Sequence, residues 1–216
     1  MMKKLQFCLA IGIILVLGVL LPGTSEGSSV NEAHMPPLEK SKPKMVNLEV
    51  THLFHALKWV KWKEEDLPDA GKPMKCLIVG EDPFRFKARL SFIFAEDGNG
   101  LAGHPIEFLS FGKMSEALTF SKTAPDVMIL VALDSTADEW IPSQYPKRPG
   151  FVVYGQSDTF RKQGMTFYSC LKRNRIKLSV NMRRANSAGV SLSKELLKQK
   201  SFFYIENAQA SGPEEN

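Results

Sequence analysis

The residues with which this chain could do chemistry are few: four histidines, three cysteines and a scatter of carboxylates. His52 and His55 stand three apart, which puts both imidazoles on one side of a helix. A metal site needs a third and fourth ligand, and no Cys, Asp or Glu follows at a suitable spacing, so no metal is expected. His34 lies among prolines, and His104 stands beside Pro105 without a partner that could orient it as a base. The carboxylate pairs Glu64-Glu65 and Glu81-Asp82 fall in loop-forming stretches, where charge is ordinarily solvated. No HExxH, GxSxG, Walker loop or GxGxxG occurs. Catalytic residues and cofactors are therefore not expected. Cys8 belongs to the leader described below, which leaves Cys76 and Cys170 as the redox candidates. Two separate buried thiols or one bridge are the alternatives.

The remaining chemistry is that of surfaces. From Met45 to Trp62 the apolar residues Val46, Val50, Leu53, Phe54, Leu57 and Val60 recur with a helical period and define a core-facing arc. His52, His55, Trp59 and Trp62 recur at three, four and three on a second arc. Large groups on both sides of a helix must be covered twice, either within the domain or by a partner or second copy of the chain. The other surface candidate is basic. Lys172, Arg173 and Arg175 crowd a turn between two β-favouring runs, Met165 to Leu171 and Ile176 to Val180, which reads as a hairpin. Its tip is either a solvated charge cluster or a site for an acidic partner or lipid headgroups.

Between these surfaces the chain alternates. Cys76 to Val79 is a short apolar run ended by Gly80, and Asp82-Pro83 supplies a cap and a first-turn proline for a helix over Phe84 to Ala95. His104 to Leu109 is a second strand and Gly112 to Thr119 a short helix. Val127 to Leu133, the most apolar run after the leader, is a central strand. Asp134 to Gln144 reads as helical with Trp140 inward, and Phe151 to Tyr154 as another strand. Such alternation predicts an α/β three-layer sandwich, with a largely parallel central sheet and the C-terminal antiparallel hairpin at its edge. Asn181 should stop the hairpin, Gly189 should end a helix after it, and Ser193 should cap another. The crevice at the carboxyl ends of the parallel strands, near Gly80 to Phe84 and Asp134 to Thr136, is where a small-molecule ligand would sit. Two carboxylates in GEDPF argue against a phosphate there.

Residues 1–27 carry Lys3 and Lys4, an apolar run from Phe7 to Leu21, and small residues at Ser25 and Gly27, which fits a cleavable secretory signal. The run is short of the ~20 residues that span a bilayer. Residues 28–44 are polar and contain Pro36, Pro37 and Pro43, so a flexible linker is expected before a domain over 45–200 and a tail over 201–216. Loss of the leader takes 28 basic and 23 acidic residues to 26 and 22. So mild an excess does not point to nucleic acid.

The stretch Gly164 to Lys198 and the turn Leu77-Ile-Val-Gly-Glu-Asp-Pro-Phe84 together resemble the YfiR-like family of exported bacterial proteins. The likeness rests on Gly164-Met165, the basic turn Arg173 to Arg175, the strand Ile176 to Asn181, the run Ala185 to Val190 and Ser193 to Leu197. The resemblance implies a periplasmic regulator that binds the periplasmic domain of a membrane-bound diguanylate cyclase, or a similar sensor kinase, and represses it. Members that use disulfides have a cysteine in the first strand and another opening the central strand. Here Pro125-Asp126-Val127 stands at the second place, so Cys76 lacks that partner and separate thiols are the first expectation. A periplasmic small-molecule binding protein is the alternative reading.

Overall fold

The computed structural model describes residues 37–140, 148–173, 175–199 and 203–206. The expected signal segment 1–27, the first part of the expected linker and the end of the tail lie outside the described residues. So do residues 141–144 of the expected 134–144 helix, whose described part is a single 3-10 turn over Asp134–Thr136 rather than an α-helix.

Helix α1 (Pro37–Trp59) begins eight residues before the helix expected from Met45, so residues 37–44 are helical rather than linker. Proline suits a first helical position because its fixed φ is already helical and its missing N–H would have no partner there. Once α1 is held by packing downstream, extending it costs little per residue, even though Pro43 removes one backbone donor. The helix also stops at Trp59 rather than Trp62. Strand β1 (Val60–Lys61) leaves it to pair antiparallel with β8 (Ser191–Leu192), with Val60 opposite Leu192. Tertiary pairing thus overrides a helical period that continues in the sequence.

The main sheet has seven strands: β2 (Met74–Val79), β3 (Ile106–Phe111), β4 (Val127–Ala132), β5 (Val152–Gly155), β6 (Phe167–Lys172), β7 (Arg175–Asn181) and β9 (Phe203–Glu206). Their order is β3-β2-β4-β5-β6-β7-β9. The first five run parallel, β6 and β7 form the antiparallel hairpin, and β9 lies parallel to β7 outside it. The three-layer α/β sandwich stands as expected, and β9 extends it: Phe203–Glu206, assigned to the tail, is the outermost strand. Strand β4 is buried along its whole length, as a continuous apolar run between two parallel neighbours must be.

One layer of the core packs α1 and α2 (Phe86–Asp97) on Cys76, Ile78, Ile129, Val131, Tyr154 and Leu178. The other packs α3 (Met114–Thr123), Trp140 and Phe160 on Leu77, Val79, Leu130, Val153 and Cys170. At the C-terminal end Asn181 caps α4 (Met182–Ser187) by accepting from the Arg184 amide at 3.0 Å. Ser193 caps α5 (Lys194–Lys198) by accepting from Leu196 at 3.4 Å.

Candidate functional site

The carboxyl ends of β2 and β4 are neighbours, and in an open parallel sheet the crevice between them is the usual place for a ligand. Here it is bridged by the protein itself. The Leu133 amide donates to the Val79 carbonyl at 3.0 Å, and the Glu81 amide donates to Ser135 Oγ at 2.8 Å. Gly80 has φ +105°, and a Cβ on it would meet Ser135 Oγ and come within 2.8 Å of Thr136 Cγ2. The strand ends touch where a solute would have to enter. Helix α2 starts two residues later than expected, so Pro83 precedes it and Arg85, at φ +60°, is its N-cap residue; Asp82 still serves the first turn, its carboxylate accepting from the Phe86 amide at 2.5 Å and the Lys87 amide at 2.9 Å. The helix N-terminus is thereby satisfied by the chain's own anion.

A polar cluster sits just beneath those ends. Glu49 is 7% exposed on α1 and accepts a hydrogen bond from Gln156 Nε2 at 3.2 Å, while Gln156 Oε1 accepts from the Asp134 amide at 3.2 Å. The Tyr154 hydroxyl is buried 2.8 Å from Ser169 Oγ. Burial raises the Glu49 carboxyl to about 7; the Gln156 hydrogen bond works the other way, Asp134 adds to the rise and Lys42 opposes it. Sequence reasoning missed Glu49. Its place between Val46 and Val50, on the buried flank of the apolar arc, was the available signal.

The two histidines and two tryptophans of the second arc do not form one surface. His52 is buried, its ring 6.5 Å from that of Phe203 on β9, and Trp59 is half-buried edge-on to Phe203 at 6.0 Å. Trp62, beyond the helix, donates from Nε1 to the Gly150 carbonyl at 2.7 Å. Only His55 of the four is exposed, its ring 6.2 Å from that of Trp59. Partial loss of surrounding water lowers the pKa of both histidines, with His55 adding to the effect at His52. His52 and Trp59 are covered from within, by a strand expected to be tail. His104 is structural too, its Nδ1 3.0 Å from the Lys72 carbonyl.

The hairpin tip is the opposite case. Lys172 pairs in register with Arg175, Arg173 turns the chain at φ +51°, and Arg173 and Arg175 are exposed beside Leu171, itself 60% exposed.

Cys76 and Cys170 are both free and buried. They face opposite layers of the core, and three strand spacings, roughly 14 Å, separate β2 from β6. A disulfide needs Cα atoms within about 7 Å, so these thiols cannot bridge in this fold. Burial also pushes the Cys76 pKa far up, which makes its thiol inert. Among the described residues no group of three or more His, Cys, Asp or Glu could hold a metal ion, and no helix is long and apolar enough to cross a membrane.

A groove of about 430 Å³ lies between α1 and α2, lined by residues that include Val50, Arg85, Arg89, Phe92 and Ile93. Neither Arg85 nor Phe92 stood out in the sequence, because a basic residue and a lone aromatic on a helix are ordinary.

A family profile places the chain. No curated protein matches it. A conserved domain protein from Vibrio cholerae O1 biovar El Tor str. N16961, solved by crystallography, is similar at 13% identity and a TM-score of 0.46. The likeness covers 74% of this chain and 60% of that one, so this chain spans less than two thirds of that structure's length. The sequence profile of the YfiR/HmsC-like family matches residues 47–199, which include the strands β2 to β7 and the capped helices α4 and α5. The chain belongs to the YfiR/HmsC-like family.

Proposed function

We propose that this protein is an exported regulator that binds the periplasmic domain of an inner-membrane diguanylate cyclase, or a similar membrane sensor, and holds it inactive. The observation that carries this reading is the family match over residues 47–199, nearly the whole described domain. The mechanism needs no bond to be made or broken. A protein that binds the inactive form of its partner more tightly than the active form shifts the population toward inactivity, and whatever weakens that contact releases the partner.

The contact we assign first is the hairpin tip. Arg173 and Arg175 offer charge to an acidic surface, and exposed Leu171 offers an apolar anchor beside it. His52, Trp59 and Trp62 are spent on internal packing and drop out of the contact. A solute-binding role has less support, since the crevice that would hold the ligand is bridged by Glu81 and Ser135.

The test is a deletion of the gene with cyclic-di-GMP measured in the cells. Output should rise on deletion, fall again when the wild-type chain is restored, and stay high when the restored chain carries Arg173→Glu and Arg175→Glu. Unchanged output on deletion would refute the reading.

A further inference from the structure

The groove between α1 and α2 has walls held at both ends. At one, the Arg89 guanidinium donates to the Phe84 carbonyl at 2.8 Å and to Asn47 Oδ1 on α1. At the other, Lys58 of α1 pairs with Asp97 of α2 at 2.7 Å. Cross-braces of this kind fix the spacing of two helices, so the groove exists before anything enters it. Its lining includes buried Val50 and half-buried Ile93, and on its rim Phe92 stands 65% exposed. An aromatic ring left in water beside a preformed groove with Val50 and Ile93 in its lining is how a docking anchor is built.

Charge is distributed unevenly along this shoulder. Lys44 on α1 and Arg85 at the start of α2 are both exposed near one end, and the neighbouring Asp82 carboxylate is already used by two backbone amides. No carboxylate is among the residues lining the groove. Topology then adds a second fact. Strand β6 runs parallel to β2, β4 and β5, so the Lys172 to Arg175 turn that follows β6 lies at the same end of the sheet as the Gly80 to Arg85 turn that follows β2. Arg85 and the hairpin arginines therefore present their cations at one end of the molecule.

We propose that the α1/α2 shoulder is a second docking surface, which takes an acidic, apolar-tipped segment of the membrane partner. One large apolar side chain of that segment seats between Phe92 and Ile93, and carboxylates beside it meet Lys44 and Arg85. This rests on the regulatory reading for the identity of the partner, while the surface itself rests on the groove and its charge. A segment of this chemistry would gain affinity from the buried side chain and orientation from the cations.

The experiment places a photo-crosslinking p-benzoylphenylalanine at position 92, and separately at position 171, in the full chain expressed in its own cell envelope. Both positions are exposed, so neither change should disturb folding. The expected result is that both capture the same membrane protein, and that the position-92 adduct maps to a segment with Asp or Glu flanking an apolar residue. Adding Arg85→Glu should then cut the position-92 yield about tenfold. If position 171 captures the cyclase while position 92 captures only a second copy of this chain, or nothing, the shoulder is not a docking surface and the regulatory reading stands. Failure at both positions would remove the regulatory reading and this proposal with it.

Discussion

The aromatic arc of α1 and the tip of the β6–β7 hairpin look alike as sequence, each a dense group of residues that partners favour, and the fold treats them in opposite ways. His52 and Trp59 meet Phe203, delivered by a strand more than 140 positions further along the chain, whereas the side chains of Arg173, Arg175 and Leu171 stand exposed to solvent. The difference lies in the cost of leaving each group uncovered. Indole and imidazole rings on a helix gain from any apolar surface that reaches them, and the sheet had one more strand to offer. A guanidinium gains little from burial and stays in water unless an acid comes to it. A patch is thus open for binding only where the chain has nothing of its own to cover it.

The covered and the open patch differ in measurable ways, from large effects to small. The largest concerns Glu49, on the covered side. Its carboxyl is raised from the ordinary 4.5 to about 7 in the folded protein, so the unfolded chain ionises first. Folding stability contributed at this site is present below about pH 4.5, is lost as pH rises toward about 7, and changes no further above that. The full loss is on the order of 3 kcal/mol. His52 and His55, whose pKa values are lowered, slope the other way below their unfolded value of 6.5. The difference between wild type and Glu49→Gln cancels them, since both proteins carry the histidines. Urea midpoints for the pair should diverge as pH rises from 4.5 to 7, with Glu49→Gln relatively more stable at the top; parallel curves would mean that Glu49 is solvated.

Next is Trp59→Ala, which strips the ring from Phe203 and should cost about 2 kcal/mol, less than a fully buried tryptophan because Trp59 is half-exposed. Chemical denaturation reads the loss, and partner affinity per folded molecule should not move. A fall in affinity without a fall in stability would reverse the roles assigned to the two patches. Smallest in stability is Arg175→Glu, expected within about 0.5 kcal/mol of wild type because the side chain is exposed. Its effect should appear in binding to the membrane partner, strongest at low salt and fading as ionic strength rises.

Much of the architecture could be read locally. The apolar run Val127 to Leu133 needed only its length and composition to be a central strand, and Asn181 and Ser193 needed only their positions to be caps. Each depends on contacts within a few residues, where sequence and structure share one scale. The candidate site was half legible. Arg173 and Arg175 were visible because charge clusters are visible, but the α1/α2 groove was not, since Val50 and Ile93 are ordinary core-type residues until two helices set them side by side.

What the sequence settled by itself, then, was the alternation of strands and helices, their caps and the basic turn, all consequences of backbone preference and hydrophobic period over short spans. Only the tertiary structure decided that α1 ends where Val60 finds Leu192, that Phe203 covers His52 and Trp59, and that Cys76 and Cys170 face opposite layers. The reason is physical: burial is a property of pairs of surfaces, and the second surface of each pair lies far along the chain from the first.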